Sequence, residues 1–70
     1  MTLKEAELGI EYLIKGIQTD DEELNTFLFS LGCYEGEPIT VIRILRGAFV
    51  VAIKDARYTI DKELAEAIEI

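Results

Sequence analysis

The chain has seventy residues, half of them hydrophobic, with fourteen acidic and seven basic side chains, no histidine and one cysteine. That length makes one domain, which buries only about 60% of its unfolded surface. The single cysteine excludes an internal disulfide, the missing histidine excludes Cys/His zinc sites and Cys–His catalysis, and a formal charge of −7 works against nucleic acid and anionic membrane surfaces.

The opening "MTLKEAELGI" carries charges where a signal peptide needs an apolar run. "GIEYLIKGI", Gly9 to Ile17, alternates Ile10, Tyr12 and Ile14 against Glu11, Leu13 and Lys15, which predicts one half-buried strand closed by Gly16. "TDDEELNTFLFSLG" then predicts a helix near 20–31. Thr19 or Asp20 is the expected N-cap, with Glu22 or Glu23 completing a capping box. Leu24, Phe27, Leu28 and Leu31 follow the i, i+3, i+4, i+7 spacing of an apolar stripe. Gly32 sits where a helix ends in a left-handed residue, and Cys33 is placed to pack back on Leu28.

"YEGEP" is a turn, with Gly36 free to take positive φ and Pro38 confined to the start of a strand. "ITVIRIL" and "FVVAIKD", joined at "RGA", predict a hairpin. Alternation is poor on both arms, so two readings stay open: both faces covered, as in a small closed barrel, or one face left as an apolar patch. "ARYTI" is a further strand, and Asp61 caps a short turn of helix near 61–66 before "AIEI", where Ile68 and Ile70 share a face. The expected fold is mainly β: about five strands in a small barrel with one inserted helix. The longest apolar run, Ala48 to Ile53, is about a third of the ~20 residues that span a bilayer. Together with a lone thiol that suits a reducing compartment, this predicts a cytoplasmic protein with no membrane insertion; nothing in the pattern sets the oligomeric state, and a monomer is the favoured expectation.

Few residues are equipped for chemistry. Asp20, Asp21, Glu22 and Glu23 form an acidic run, and Asp20, Asp21 and Glu23 are the candidate ligands if a hard cation binds. Acids in a first helical turn also favour the helix dipole, which is the structural reading. Cys33 follows a helix C-terminus and has no cationic neighbour, so it is read as packing filler, not as a nucleophile. Phe29 points roughly 150° from the apolar stripe and, with Tyr34 at the helix corner, makes a candidate contact patch. Ile42, Ile44 and Phe49 on the hairpin join that contact set, although Phe49 also reads as core. Arg43, Arg46, Lys54 and Arg57 gather in the β half while acids dominate the N-terminal half, a dipolar layout able to steer a partner. Gly32-x-x-x-Gly36 lacks the Lys-Ser/Thr of a phosphate loop. No catalytic set emerges, and no cofactor is called for.

"SLGCYEGEPITVI", joined to the closing "LAEAIEI", resembles the FeoA family, small cytoplasmic proteins of bacterial ferrous iron transport. Leu31-Gly32, Cys33, Gly36, Ile39 and Val41 match the family's order of helix end, Gly turn and Ile-x-Val strand. Ala65, Ile68 and Ile70 match its closing signature. The resemblance implies an SH3-like barrel with an inserted helix. It also implies a non-catalytic accessory role toward the FeoB transporter, at its cytoplasmic GTPase domain. The same fold occurs in iron-dependent repressors of the DtxR type, so the alternative is a cation-sensing or standalone repressor-type regulatory domain. The short hairpin turn, Leu45 to Ala48, departs from the longer loop common in the family.

Overall fold

The computed structural model describes residues 1–70. After a 3-10 turn at Leu3–Glu5 come β1 (Glu11–Leu13), β2 (Gly16–Ile17), α1 (Glu22–Leu31), β3 (Pro38–Leu45), β4 (Ala48–Ile53), β5 (Ala56–Ile60), α2 (Lys62–Ala67) and β6 (Ile68–Glu69). Six antiparallel strands thus stand where about five were expected. They divide into a four-stranded sheet, ordered β1-β3-β4-β5, and a two-stranded ladder of β2 and β6.

The extra strand comes from "GIEYLIKGI". Ile14 still exchanges hydrogen bonds with the β3 side, its N–H donating to Glu37 O (2.9 Å) and its carbonyl accepting from Gly36 N (2.8 Å). One residue on, the Lys15 N–H donates to Glu69 O (2.7 Å), on β6. The chain therefore changes ladder partner between Ile14 and Lys15. Gly16 is consequently not a terminator: it pairs with Glu69 as the first residue of β2. The two chain ends are tied into the same place, with Thr2 bridging Glu69 and Ile70 N donating to Met1 O (2.8 Å).

The core lies on one face of the large sheet, where Ile39, Val41, Phe49, Val51, Ile53 and Ile60 are buried together with Leu3, Ile14, Leu28 and Ile68. The poor alternation of "ITVIRIL" has a local cause. Val41 pairs with Val51, but the next pair is Arg43 with Val50, so Ile42 is an extra residue in a β-bulge. The bulge inverts the parity and turns Arg43 outward, so the buried face does not have to accept a guanidinium. No ladder runs continuously around the core, and the outer face of the large sheet is not covered. Both hairpin ends are two-residue turns. Arg46 (φ 53°) and Gly47 (φ 80°) are both left-handed, the type I′ geometry that matches strand twist, and Lys54 (φ 55°) opens the turn into β5.

The helix begins at Glu22, two residues later than expected. Asp21 is the cap, its carboxylate accepting from Glu23 N (3.0 Å) and Leu24 N (3.2 Å). Thr19 Oγ1 instead accepts from Asp21 N (3.1 Å) and so orients the cap residue, which leaves neither Thr19 nor Asp20 in that role. The C-terminus follows the expected form. Gly32 is left-handed at φ 97°, its N–H donates to Phe29 O, and the Cys33 N–H donates to Leu28 O (2.9 Å).

Gly32 is also a close approach. A Cβ there would lie 3.2 Å from Ile53 Cγ2 and 3.3 Å from Lys54 Cε. Gly32→Ala should therefore lose about 1–3 kcal/mol in thermal or urea unfolding, from left-handed strain plus displacement of the β4–β5 turn. Gly16→Ala, which meets nothing within 4 Å and has no positive φ, should stay within about 0.5 kcal/mol of the parent. Equal losses at the two glycines would show that the approach at Gly32 does not matter.

Candidate functional site

Helix α1 touches the body along a narrow line. Leu28 is fully buried, Leu24 and Leu31 are half-buried, and Phe27, expected in the same stripe, is exposed. At about 100° per residue Phe27 falls on the flank of that line, beyond reach of the sheet. Phe29 stands on the opposite flank, 63% exposed. It is not isolated: its ring centroid is 5.0 Å from that of Tyr34, tilted by 38°, within the range of a favourable aromatic pair.

The turn that positions Tyr34 is held by Lys54. Lys54 Nζ donates to Tyr34 Oη (2.9 Å) and pairs with Glu37 Oε1 (2.9 Å). Nζ also lies 5.2 Å from the Tyr34 ring centroid. Bonded to the hydroxyl, it sits beyond the ring's tip, so the hydrogen bond and not the π face governs the contact. The bond to Tyr34 first, then that to Glu37, holds the Lys54 ammonium well above the usual lysine range. Lys54 reaches this place because its left-handed turn at the end of β4 lies over Gly32. The result is an open hollow of about 470 Å³ bounded by Phe29, Leu31, Gly32, Tyr34, Lys54 and Tyr58. It pairs aromatic surface with one fixed cation, a combination that suits the docking of another protein's side chain.

A second open hollow of similar size follows the Phe27 flank, lined by Glu22, Glu23, Thr26, Phe27 and Ser30. One apolar residue among five gives it little to bury.

Of the other expected contact residues, Ile42 is half-buried at the bulge and Ile44 is 47% exposed near the hairpin end. Phe49 is only 5% exposed and belongs to the core beside its cross-strand partner Ile60, so, contrary to its place in the expected set, it offers no contact surface. Asp20, Asp21 and Glu23 do not converge: no three His, Cys, Asp or Glu side chains in the chain stand close enough to hold a metal ion. The Asp21 carboxylate is already committed to two backbone N–H groups of α1. Consecutive residues at a helix start point around the axis, which separates the rest.

Cys33 is 1% exposed and packed in the core. Burial pushes its thiol up to about 11 from an ordinary 9.0. The physical cause is desolvation, where the sequence pointed to the helix dipole; the consequence is the same, a neutral and unreactive thiol at pH 7. Because the folded value is the higher one, stability is unaffected below pH 9 and falls as the unfolded thiol ionises between about 9 and 11, by up to roughly 2–3 kcal/mol. Cys33→Ala should remove that alkaline slope. In native buffer at pH 8, iodoacetamide should modify Cys33 only as fast as the protein opens; rapid stoichiometric labelling would contradict the packing.

Sequence reasoning missed Glu37 and Tyr58 and places Lys54 only in a charge layout able to steer a partner, not at this corner. "AIKDAR" signals a tight turn with a cation at its tip, but that the tip meets the end of α1 is a long-range fact absent from local pattern.

A family model described as the FeoA domain matches residues 1–70. No curated protein matches the chain significantly. Among solved structures, the chain is similar to the FeoA of Stenotrophomonas maltophilia, crystallised with zinc and described as a prokaryotic SH3 domain protein. The two share 19% identity and a TM-score of 0.86 over 97% of this chain and 86% of that one. It is also similar to the iron(II) transport protein A of Clostridium thermocellum in solution, at 27% identity and TM-score 0.89, over 99% of this chain and 43% of that one. A manganese-dependent transcriptional repressor, in complex with manganese, contains the same fold at 21% identity and TM-score 0.87, over 97% of this chain and 34% of the repressor. The fold is SH3-like, as expected.

Proposed function

Because the chain belongs to the FeoA domain family, a family linked to ferrous iron transport and sharing its SH3-like fold with metal-dependent repressors, we propose that it is a non-catalytic accessory module of that transport. In this reading it works in the cytoplasm as a monomer and binds the cytosolic GTPase part of a FeoB-type transporter, regulating uptake. The observation that supports the reading is the Phe29–Tyr34 corner. A large exposed aromatic is held in a fixed place by the helix-ending hydrogen bonds of Gly32 and Cys33 and by the bond from Lys54 to Tyr34. Pre-organised aromatic surface loses little conformational freedom on docking, which is how a patch this small contributes useful affinity. Function by presentation of a surface also accords with the dispersed carboxylates and the buried thiol. No helix is long and apolar enough to cross a membrane, so membrane attachment in this reading comes through the transporter.

The test is co-purification of the full chain with the cytosolic domain of the cognate transporter, run with GDP and with a non-hydrolysable GTP analogue. Saturable retention in at least one nucleotide state is expected. Absence of retention in both states, at low and at physiological salt, would rule the reading out.

A further inference from the structure

All three arginines of the chain lie in the second half, and none takes part in either ion pair or in any side-chain hydrogen bond, although fourteen carboxylates are present. By contrast, Lys4 is paired with Glu66 and Lys54 with Glu37. Strand register places two of the arginines together. Arg43 stands opposite Val50, and Arg57 stands opposite Ala52. Val50 and Ala52 alternate with the buried Phe49, Val51 and Ile53 along β4, so all four residues share the outer face of the large sheet. The bulge at Ile42 is what brings Arg43 there. Two strands apart and two residues out of step, the Arg43 and Arg57 Cα atoms are roughly 12 Å from each other. Between them the face is apolar and low, formed by Val50 and Ala52, with Leu45 exposed beyond Arg43.

The geometry points to this face as a second docking site, for an acidic amphipathic helix of a protein partner. A guanidinium fork matches a carboxylate in two hydrogen bonds. Glutamates at i and i+7 of a helix are separated by about 10.5 Å along its axis, close to the spacing of the two arginines. The apolar residues between those glutamates then meet Val50 and Ala52. A continuous polyanion is the poorer occupant. It would meet the field of a chain carrying −7 and, on the same face, the Glu11 carboxylate, which lies in the row of Thr40, Ala52 and Arg57. The site is separate from the aromatic corner, because Tyr58 pairs with Val51 and so belongs to the opposite face of the sheet. Its failure would leave the corner's role standing, and the reverse also holds.

The test uses the full chain and a designed helical peptide with glutamates at i and i+7 and leucines between them, followed by backbone amide shifts. Shifts centred on Arg43, Val50, Ala52 and Arg57 are expected. Arg43→Glu with Arg57→Glu should weaken binding about tenfold or more, while Lys15→Glu with Lys62→Glu, the same change in net charge elsewhere, should alter it less than threefold. The glutamine version of the peptide should not bind. The inference is overturned by equal weakening in both double variants, by shifts elsewhere or none up to millimolar peptide, or by tighter binding of phosphatidylglycerol vesicles or a single-stranded DNA oligonucleotide to the same face.

Discussion

Leu28→Ala should remove about 3–5 kcal/mol of stability, the upper part of the range for a fully buried leucine in a core that cannot collapse around the loss. A disulfide-free chain of this size has roughly 3–5 kcal/mol to lose, so the variant should be largely unfolded, or melt near ambient temperature. Leu28 has this weight because α1 has no other fully buried side chain. Its carbonyl also accepts the Cys33 N–H that fixes the turn leading to Tyr34. One residue therefore anchors the helix in the core and sets the direction in which the chain leaves it. Leu24→Ala, at a half-buried position on the same line, should cost about 1 kcal/mol. Urea titrations of the two variants by circular dichroism make the comparison. If Leu28→Ala lost less than about 1 kcal/mol, the helix would be held by something other than this contact.

Phe29→Ser separates surface from core in the opposite way. The side chain is 63% exposed, so the change should cost at most about 1 kcal/mol, mainly the aromatic pair with Tyr34. Binding to the transporter's cytosolic domain should fall by a factor of thirty or more, on the order of the 2 kcal/mol that marks an interface hot spot. Phe49→Ser supplies the contrast, because its ring lies in the core and its loss should reach about 3 kcal/mol or more. Unfolding curves and binding isotherms on both variants give four numbers. A Phe29→Ser protein that binds as well as its parent would remove the corner from the functional account. One that unfolds as readily as Phe49→Ser would move Phe29 into the core.

Local pattern was most informative where one residue has one physical job. Gly32 ends α1 in the left-handed region, as its place after an apolar stripe indicated, and Cys33 fills the core beside it. Pro38 begins a strand, Arg46-Gly47 makes the hairpin turn, and Asp61 accepts from Leu64 N (2.8 Å) at the start of α2. Pattern misled where two readings share the same residues. "GIEYLIKGI" has strand periodicity throughout, and nothing in it marks the change of partner at Ile14 and Lys15, which depends on Glu37 and Glu69 arriving from elsewhere. Phe27 satisfies helical spacing yet remains outside, because how wide a stripe is covered depends on what lies opposite it. The irregular alternation of "ITVIRIL" left its exposed face ambiguous until the bulge at Ile42 reconciled it.

Neighbouring residues along the chain were thus enough for the mainly β class, the two capped helices and the scarcity of reactive groups. Capping, turn formation and two-residue alternation are set by neighbours in the chain, and composition alone removed histidine chemistry. The tertiary structure decided which surfaces exist: Lys54 brought across Gly32 to Tyr34, Phe49 turned inward while Phe29 stays outside, and Arg43 aligned with Arg57 across β4. Those juxtapositions join residues far apart in the chain. They are fixed by strand register and by the packing of one helix on one sheet, and neither is written in any local window.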